Sequence, residues 1–366
     1  MRHLSKTSSP DFAFLSLLII LVIFGLVMLT SASSDLAKTR LGDSLYYLKH
    51  QLITGLLVGI VGFLVGFFLF YRRWANLAII LLILNIIFLI LVFTPFGIEA
   101  KGANRWLGYG SFSFQPGELL KLSFLIFLAF WISKSQTRGK SASQGLLPFL
   151  FLIGIVVGLL LLQPATTTAV LIAASAAIMY FIGGAKIKFL IALVLLGILI
   201  FTIVVSLTPY RMERIKSFLD RETNKLDEGY QINQTLIAIG SGGLTGTGFG
   251  KSNIKMHLPE PLGDSIFAVI AEELGFIGSA LLIIIFLLFI WRGFKIAKAS
   301  PDNFSRLLAI GFSSLIGLQT FINIGAMTGI IPLTGVPLPF ISYGGTALVV
   351  FLTMSGIMLN ISKYRK

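Results

Sequence analysis

Apolar runs of about 17–25 residues recur along the whole chain, and a run of that length is what one helical crossing of a bilayer requires. They lie near 11–32, 46–70, 77–94, 118–133, 146–163, 168–183, 187–208, 265–290, 307–329 and 344–361. The run at 118–133 is short and begins with Glu118 and Lys121. The first run follows Arg2 and Lys6 but exceeds a signal-peptide core in length, so it is kept as a span. Hydrophobic residues make up 56% of the 366 and charged residues only 12%, where soluble domains carry about 25% charged residues. The expected architecture is an all-α integral membrane protein of about ten helices. It is a single domain over 1–366, with 209–264 as a large loop between spans seven and eight.

The basic residues orient this bundle. With the N-terminus in the cytoplasm, the inner segments hold Arg2, Lys6, Arg72, Arg73, Lys134, Arg138, Lys140, Lys186, Lys188, Arg292, Lys295, Lys298, Arg306, Lys363, Arg365 and Lys366, more than half of the 29 Lys and Arg. The short outer segments hold Lys38, Arg40, Lys49, Lys101, Arg105 and Lys121. Short loops dominate orientation, so both termini are expected inside. The polar loops 95–117 and 209–264 then face outward, away from cytoplasmic ATP. A net charge of +14 in short loops between apolar runs suits anionic lipid better than nucleic acid.

The inventory narrows the chemistry. There is no cysteine, which removes disulfides, thiolate nucleophiles and cysteine metal sites. His3, His50 and His257 are the only histidines and cannot build a metal cluster at ligand spacing. Carboxylates, lysines, arginines and hydroxyls remain.

Six segments stand out. Gly240 to Ser252 ends in Gly-Lys-Ser, but a P-loop needs glycine where Thr245 stands. The segment is either a run of tight glycine turns or a backbone nest for a diphosphate beside Lys251 and Lys255. Leu258-Pro259-Glu260-Pro261-Leu262-Gly263-Asp264 leads into an apolar helix, so Asp264 is a helix N-cap, a rim carboxylate serving as general base, or both. Glu272 and Glu273 lie within that span and, at about 100° per residue, share no stripe with Asp264. They read as structural hydrogen-bonding groups. Glu118 and Lys121 sit at i,i+3 and can pair, either neutralising each other or lining a cavity that offers Lys121 to an anion. Arg105 and Trp106 precede them as an interfacial anchor or a binding pair. Gln163-Pro164-Ala165-Thr166-Thr167-Thr168 is a hairpin tip whose hydroxyls can bond back to helix carbonyls. Thr334 to Gly345 holds two prolines and three glycines at membrane depth; such backbone survives only when buried in protein or lining a wet cavity.

Taken in order, these segments resemble the SEDS family: FtsW, RodA and SpoVE. The resemblance rests on Gly102-Ala103-Asn104-Arg105-Trp106, Gln115-Pro116 with Glu118, Tyr230 through Gly243, Leu258-Pro259-Glu260 with Asp264, Glu272-Glu273-Leu274-Gly275, and Gly335 through Gly345. It covers nearly the whole chain. It implies polymerisation of lipid II, a disaccharide-pentapeptide on undecaprenyl diphosphate, at the outer face of the bacterial cytoplasmic membrane. It also implies a single-span class B penicillin-binding protein as partner, among other division or elongation proteins. The family's essential aspartate corresponds to Asp264, and its cavity carboxylate and lysine to Glu118 and Lys121. Leu262-Gly263 stands where His-Thr is usual, Ala165 and Thr167 where Pro-Asp-x-Gly is frequent, and Arg221 where proline follows Asp220. Tyr230-Gln231 tilts the chain toward the FtsW-like branch.

The chemistry fits the inventory. A sugar hydroxyl must lose a proton as it attacks an anomeric carbon, which a placed carboxylate accelerates by about 10²–10⁴-fold. Cations must stabilise the departing diphosphate; Arg105, Lys121, Arg211, Arg214, Lys251 and Lys255 are the candidates. Trp106, Glu260 and Ser342 complete the expected substrate contacts, with Ser342 in the broken stretch. A divalent cation, Mg²⁺ or Mn²⁺, is compatible, though no motif specifies it. The competing readings are a lipid II flippase or transporter, since midplane carboxylates and broken helices suit one equally, and a non-catalytic scaffold of the division machinery.

Overall fold

The computed structural model describes residues 8–100, 103–109, 112–135, 139, 141–219 and 228–365. The expectations placed on Arg2, His3, Lys6, Lys101, Gly102, Arg138, Lys140, Asp220, Arg221 and Lys366 fall outside the described residues. Along the chain run α1 (Phe12–Leu41), α2 (Tyr46–Phe68) and α3 (Tyr71–Leu91). Three short strands follow, β1 (Gly97–Ala100), β2 (Ala103–Tyr109) and β3 (Phe112–Phe114). Then come α4 (Pro116–Ser133), α5 (Ala142–Leu162), α6 (Thr166–Ile182) and α7 (Ile187–Ser206). The second loop contributes α8 (Pro209–Leu219) and α9 (Glu228–Ser241), and the chain closes with α10 (Ile266–Lys298), α11 (Asn303–Met327) and α12 (Gly345–Ser362).

Among the described residues, 9 of these helices are long and apolar enough to cross a membrane, and α6, at 17 residues, is a shorter apolar helix. The protein is therefore a multi-pass helical membrane protein. Each expected run coincides with one of these elements, with the ends moved. The first helix continues to Leu41 and the eighth apolar helix to Lys298. The strands were not foreseen: β1, β2 and β3 form an antiparallel sheet in that order within the first polar loop.

The most enclosed helices are α12, α11 and α4, while α7 exposes most of its surface. Enclosure of α12 follows from small residues on its neighbour. A Cβ added to Gly62 of α2 would strike Thr353, and one on Gly66 would lie 2.8 Å from the Ile357 nitrogen. A Cβ on Gly356 of α12 would strike the Phe63 carbonyl. In lipid, where burial of apolar surface gives helices no net drive to associate, such backbone approach supplies the dispersion contact instead.

Helix ends are fixed by side chains. Asp302 caps α11, accepting from the Ser305 amide at 2.9 Å while the Ser305 hydroxyl lies 3.4 Å from the Asp302 amide. Its carboxylate also accepts from Tyr71 Oη at 2.8 Å and Arg72 Nε at 3.2 Å, which ties α11 to α3. Burial pushes the Asp302 carboxyl up, but the Ser305 and Tyr71 hydrogen bonds and the Arg72 charge outweigh it and leave it below its ordinary 3.8. A depressed folded value means that the carboxylate stabilises the fold above its unfolded value and loses that contribution as pH falls through the depressed one. Asp302→Ala is expected to cost about 0.5–2 kcal/mol as a lost cap. Thermal melts in detergent should show the wild type and the variant converging as the pH falls below 3.8.

Candidate functional site

The broken stretch between α11 and α12 organises one end of the bundle. Pro337 and Pro339 supply no amide hydrogens, and carbonyls here lack helical partners. Two amide side chains of α11, one turn apart, take those carbonyls. Gln319 Nε2 donates to the Pro337 oxygen at 2.8 Å, and Asn323 Nδ2 to the Val336 oxygen at 2.7 Å. Thr167, at the start of α6, donates to the Thr334 oxygen at 2.8 Å. Its hydroxyl thus reaches across the bundle rather than back along its own helix.

Asp264 is held by the same stretch. Its carbonyl accepts from Asn323 Nδ2 at 2.8 Å. Ser342 Oγ donates to the preceding Gly263 carbonyl at 2.6 Å, and the Tyr343 amide to the Leu262 carbonyl at 2.8 Å. The half-buried Asp264 side chain lies along Gly335, whose Cβ, were there one, would sit 3.7 Å from Oδ2. The turn that delivers it depends on Glu260, an exposed residue at φ 51° whose carbonyl accepts the amides of Gly263 at 3.1 Å and Ser265 at 3.2 Å. Asp264 is not the helix N-cap. Ser265 occupies that position, without a side-chain cap bond, and accepts instead from Gln231 Nε2 at 3.0 Å. The Pro-rich turn ends one residue later than the sequence suggests, which leaves the Asp264 carboxylate out of the helix-capping role.

Glu118 and Lys121 do pair, with Nζ to Oε1 at 2.6 Å, and both are buried. Lys121 is fully enclosed and also donates to Gln319 Oε1 at 2.9 Å. A continuous polar chain thus runs from Glu118 through Lys121 and Gln319 to the Pro337 carbonyl. Glu118 Oε2 and Asn323 Oδ1 are buried acceptors without partners among the described residues. Gln319 and Asn323 were missed from sequence, and Gln231 was read only as a marker of the branch. The signal was present in α11: two amides four residues apart in an apolar span cost free energy unless something takes their hydrogen bonds.

The other sequence candidates divide. Arg105 clasps the hairpin tip, donating to the Gln163 oxygen at 3.0 Å and the Pro164 oxygen at 2.8 Å. Trp106, half-buried, pairs with Ile98 in the sheet. Arg214 of α8 reaches the Leu333 carbonyl at 3.5 Å, at the start of the broken stretch. Arg211, one turn away, bonds Thr208 at 3.2 Å. Lys251 is exposed. Lys255 is not available to a diphosphate: it is buried, ion-paired to Asp35 at 2.6 Å, and bonded to the Ser31 and Gly250 carbonyls.

The glycine loop is also committed to the fold. The amides of Thr247 and Gly248 donate to the carbonyls of Glu272 and Glu273 at 2.9 and 3.0 Å. The amides of Phe276 and Ile277 donate to Gly243 and Leu244 at 2.9 and 3.1 Å. The loop thereby docks into a break in α10 at Gly275, φ 66° and ψ −166°, and Cβ atoms at Gly242 or Gly246 would collide with that helix. Of the two readings, tight turns hold, and the amides of Gly246, Thr247, Gly248, Gly250 and Lys251 are spent within the fold. Glu272 accepts from Ser252 and from the Asn253 amide, and Glu273 from Ser31 of α1 at 2.6 Å. These carboxylates are structural, as their separation from Asp264 around the helix implies. No group of three or more His, Asp or Glu that could hold a metal ion occurs among the described residues.

Fold and site together define a multi-span membrane protein with a half-buried carboxylate held at a polar, proline-broken end of the bundle. The family model described as cell cycle protein, covering FtsW, RodA and SpoVE, matches residues 12–366, and the chain belongs to that family. The stage V sporulation protein E of Bacillus subtilis is 38% identical over 367 residues, covering 99% of both chains. A probable peptidoglycan glycosyltransferase FtsW of Geobacter sp. strain M18 is 37% identical, covering 98% of both. A chain from a peptidoglycan synthase complex, studied for how polymerization and crosslinking are coordinated, superposes with TM-score 0.82 at 30% identity, covering 96% of this chain and 97% of that one.

The buried pair yields a prediction. Lys121→Met strands the Glu118 carboxylate and is expected to destabilise the protein by about 3–5 kcal/mol, whereas adding Glu118→Gln should recover much of it. A double-mutant cycle on thermal unfolding in detergent measures this, and additive losses would show the two side chains to be independent.

Proposed function

We propose that the chain is a peptidoglycan glycosyltransferase nearer FtsW than RodA, which transfers the disaccharide of lipid II onto a growing glycan strand and releases undecaprenyl diphosphate. Family membership supports the reaction class, and the hold on Asp264 supports the mechanism. Two elements, α11 and the broken stretch, fix the backbone at Asp264 and just before it, and its carboxylate stands beside Gly335. Asp264 takes the proton of the acceptor hydroxyl as that oxygen attacks the anomeric carbon. The bond to the diphosphate breaks with inversion, so no sugar–enzyme adduct forms. Arg214, Arg211 and Lys251 are the cations assigned to the departing diphosphate. Arg105 and Lys121 act one step back, as positioning groups for the hairpin tip and the broken stretch. Trp106, Glu260 and Ser342 border or build the site. The Asp264 carboxylate with diphosphate oxygens is the hard-oxygen set that Mg²⁺ or Mn²⁺ takes. A divalent ion there would neutralise the leaving group.

In this reading α6 is the tenth span, both termini are cytoplasmic, and the Asp264 end faces outward in the bacterial cytoplasmic membrane. Support comes from Arg72, Arg73, Lys134, Lys186, Lys188, Arg292, Lys295, Lys298, Arg306, Lys363 and Arg365, which lie at helix ends remote from Asp264. The first polar loop and the second are the surfaces open to a class B penicillin-binding protein, whose crosslinking would act on the emerging strand.

Two experiments test this. Purified wild-type protein given lipid II should make glycan chains, and Asp264→Asn should lose about 10²–10⁴-fold in rate. Translocation of lipid II without polymer would indicate a flippase, and neither activity a scaffold. Because the chain has no cysteine, Asn253→Cys and Asn303→Cys report topology directly. In intact spheroplasts an impermeant maleimide should label the former alone; labelling of the latter would invert the arrangement.

A further inference from the structure

At the far end of α10 from Asp264, a cavity of about 450 Å³ opens between the start of α1, the last turns of α10 and the end of α12. That volume falls within the range of about 300–1,000 Å³ typical of small-ligand sites. Asp11, Arg292, Lys295, Lys298, Ser362 and Arg365 line it. Four cations thus face one carboxylate, whose Oδ1 is already engaged. Asp11 caps α1 by accepting from the Phe14 amide at 2.9 Å, and it accepts from Arg292 at 3.1 Å. Lys295, Lys298 and Arg365 form no ion pair among the described residues.

Cations in the last turn of a helix ordinarily answer its dipole, equivalent to about half a charge. That accounts for part of Lys295 and Lys298. Arg365 stands likewise beyond the end of α12, so two helix dipoles of about half a charge each, with Asp11, answer only part of the charge on four cations. Nor do they explain why Arg292 Nε is a buried donor with no acceptor among the described residues. A cavity with several uncompensated cations and an unused guanidinium donor is built for an oxyanion.

The walls beside it say which kind. Leu288 and Trp291, one turn before Arg292 and Lys295, are exposed on the side of α10 that faces the cavity. Lys295 Nζ rests over the Trp291 ring at 3.6 Å from its centroid, the arrangement of a residue at the boundary of lipid and water. A free phosphate would use the cations and leave this apolar wall unused. We infer that the cavity seats the phosphodiester headgroup of an anionic membrane phospholipid, with Arg292, Lys295, Lys298 and Arg365 around the phosphate and an acyl chain along Leu288 and Trp291.

The test uses the full-length protein in detergent, with phosphatidylglycerol, phosphatidylcholine or inorganic phosphate added. Native mass spectrometry should show phosphatidylglycerol retained over phosphatidylcholine, and the melting temperature should rise with the first alone. Lys295→Gln with Lys298→Gln should weaken phosphatidylglycerol binding by about tenfold. Lys186→Gln with Lys188→Gln makes the same charge change on exposed residues elsewhere and should leave binding at the wild-type level. Should the first double variant fail to fold, Lys298→Gln alone, at an exposed residue, is expected to weaken binding in the same direction. Equal retention of the two lipids, equal loss in the control variant, or undiminished binding in the cavity variants would overturn the site. Equal protection by inorganic phosphate would overturn its assignment to lipid.

Discussion

A lysine enclosed in an apolar bundle is tolerable only if its charge is neutralised and its donors are taken, and Lys121 sets that requirement for everything around it. Glu118 supplies the opposite charge and Gln319 a second acceptor. Gln319 is then held in one orientation, oxygen toward Lys121 and amide toward Pro337. Asn323, one turn on, does the corresponding service for Val336 and for Asp264. Each unsatisfied backbone carbonyl in this environment would cost several kcal/mol. The proline-broken stretch therefore owes its stability to α11, and α11 is oriented in part by a charge on α4. The candidate base inherits its position from this chain of partners rather than from its own helix.

This arrangement makes sense of the glycine loop. A helix break inside the membrane region exposes amides and carbonyls that must bond to something. At Gly275 the partners are the backbone of Gly243, Leu244, Thr247 and Gly248. The exchange requires two backbones in contact, so glycines are needed where Cβ atoms would intrude, at Gly242 and Gly246. Lys255 and the two glutamates secure the loop from the sides. What reads in sequence as a phosphate-binding pattern is a splice between a loop and a helix.

Most of the fold was legible because long apolar runs admit few alternatives in a bilayer. Individual roles were legible only where one element determines them. The Glu118–Lys121 pair follows from i,i+3 spacing, and the separation of Glu272 and Glu273 from Asp264 follows from helical geometry. Lys255 and Arg105 could not be read, because their partners, Asp35 and the Gln163–Pro164 tip, are distant in the chain. The N-cap was misplaced by one residue because the left-handed Glu260 closes the turn on Ser265 as well as Gly263. The small sheet escaped notice because its strands are only 4, 7 and 3 residues long.

The break at Gly275 also determines the depth of Asp264. From Lys298 to Gly275, α10 rises about 34 Å at 1.5 Å per residue, and from Asn303 to Asn323 α11 rises about 30 Å. The two helices run antiparallel from a short connection, so Asn323 and Gly275 lie at similar heights. Asp264 bonds Asn323 and is therefore no farther out than Gly275, although the helical segment 266–274 separates them. That segment lies across the end of the bundle instead of extending it. Contacts with α1 agree: Glu273 meets Ser31 while Ala268 clusters with Ala32, neighbouring positions on one helix. An unbroken α10 would have carried the carboxylate about 15 Å beyond the polar network. The break returns it to the level of that network.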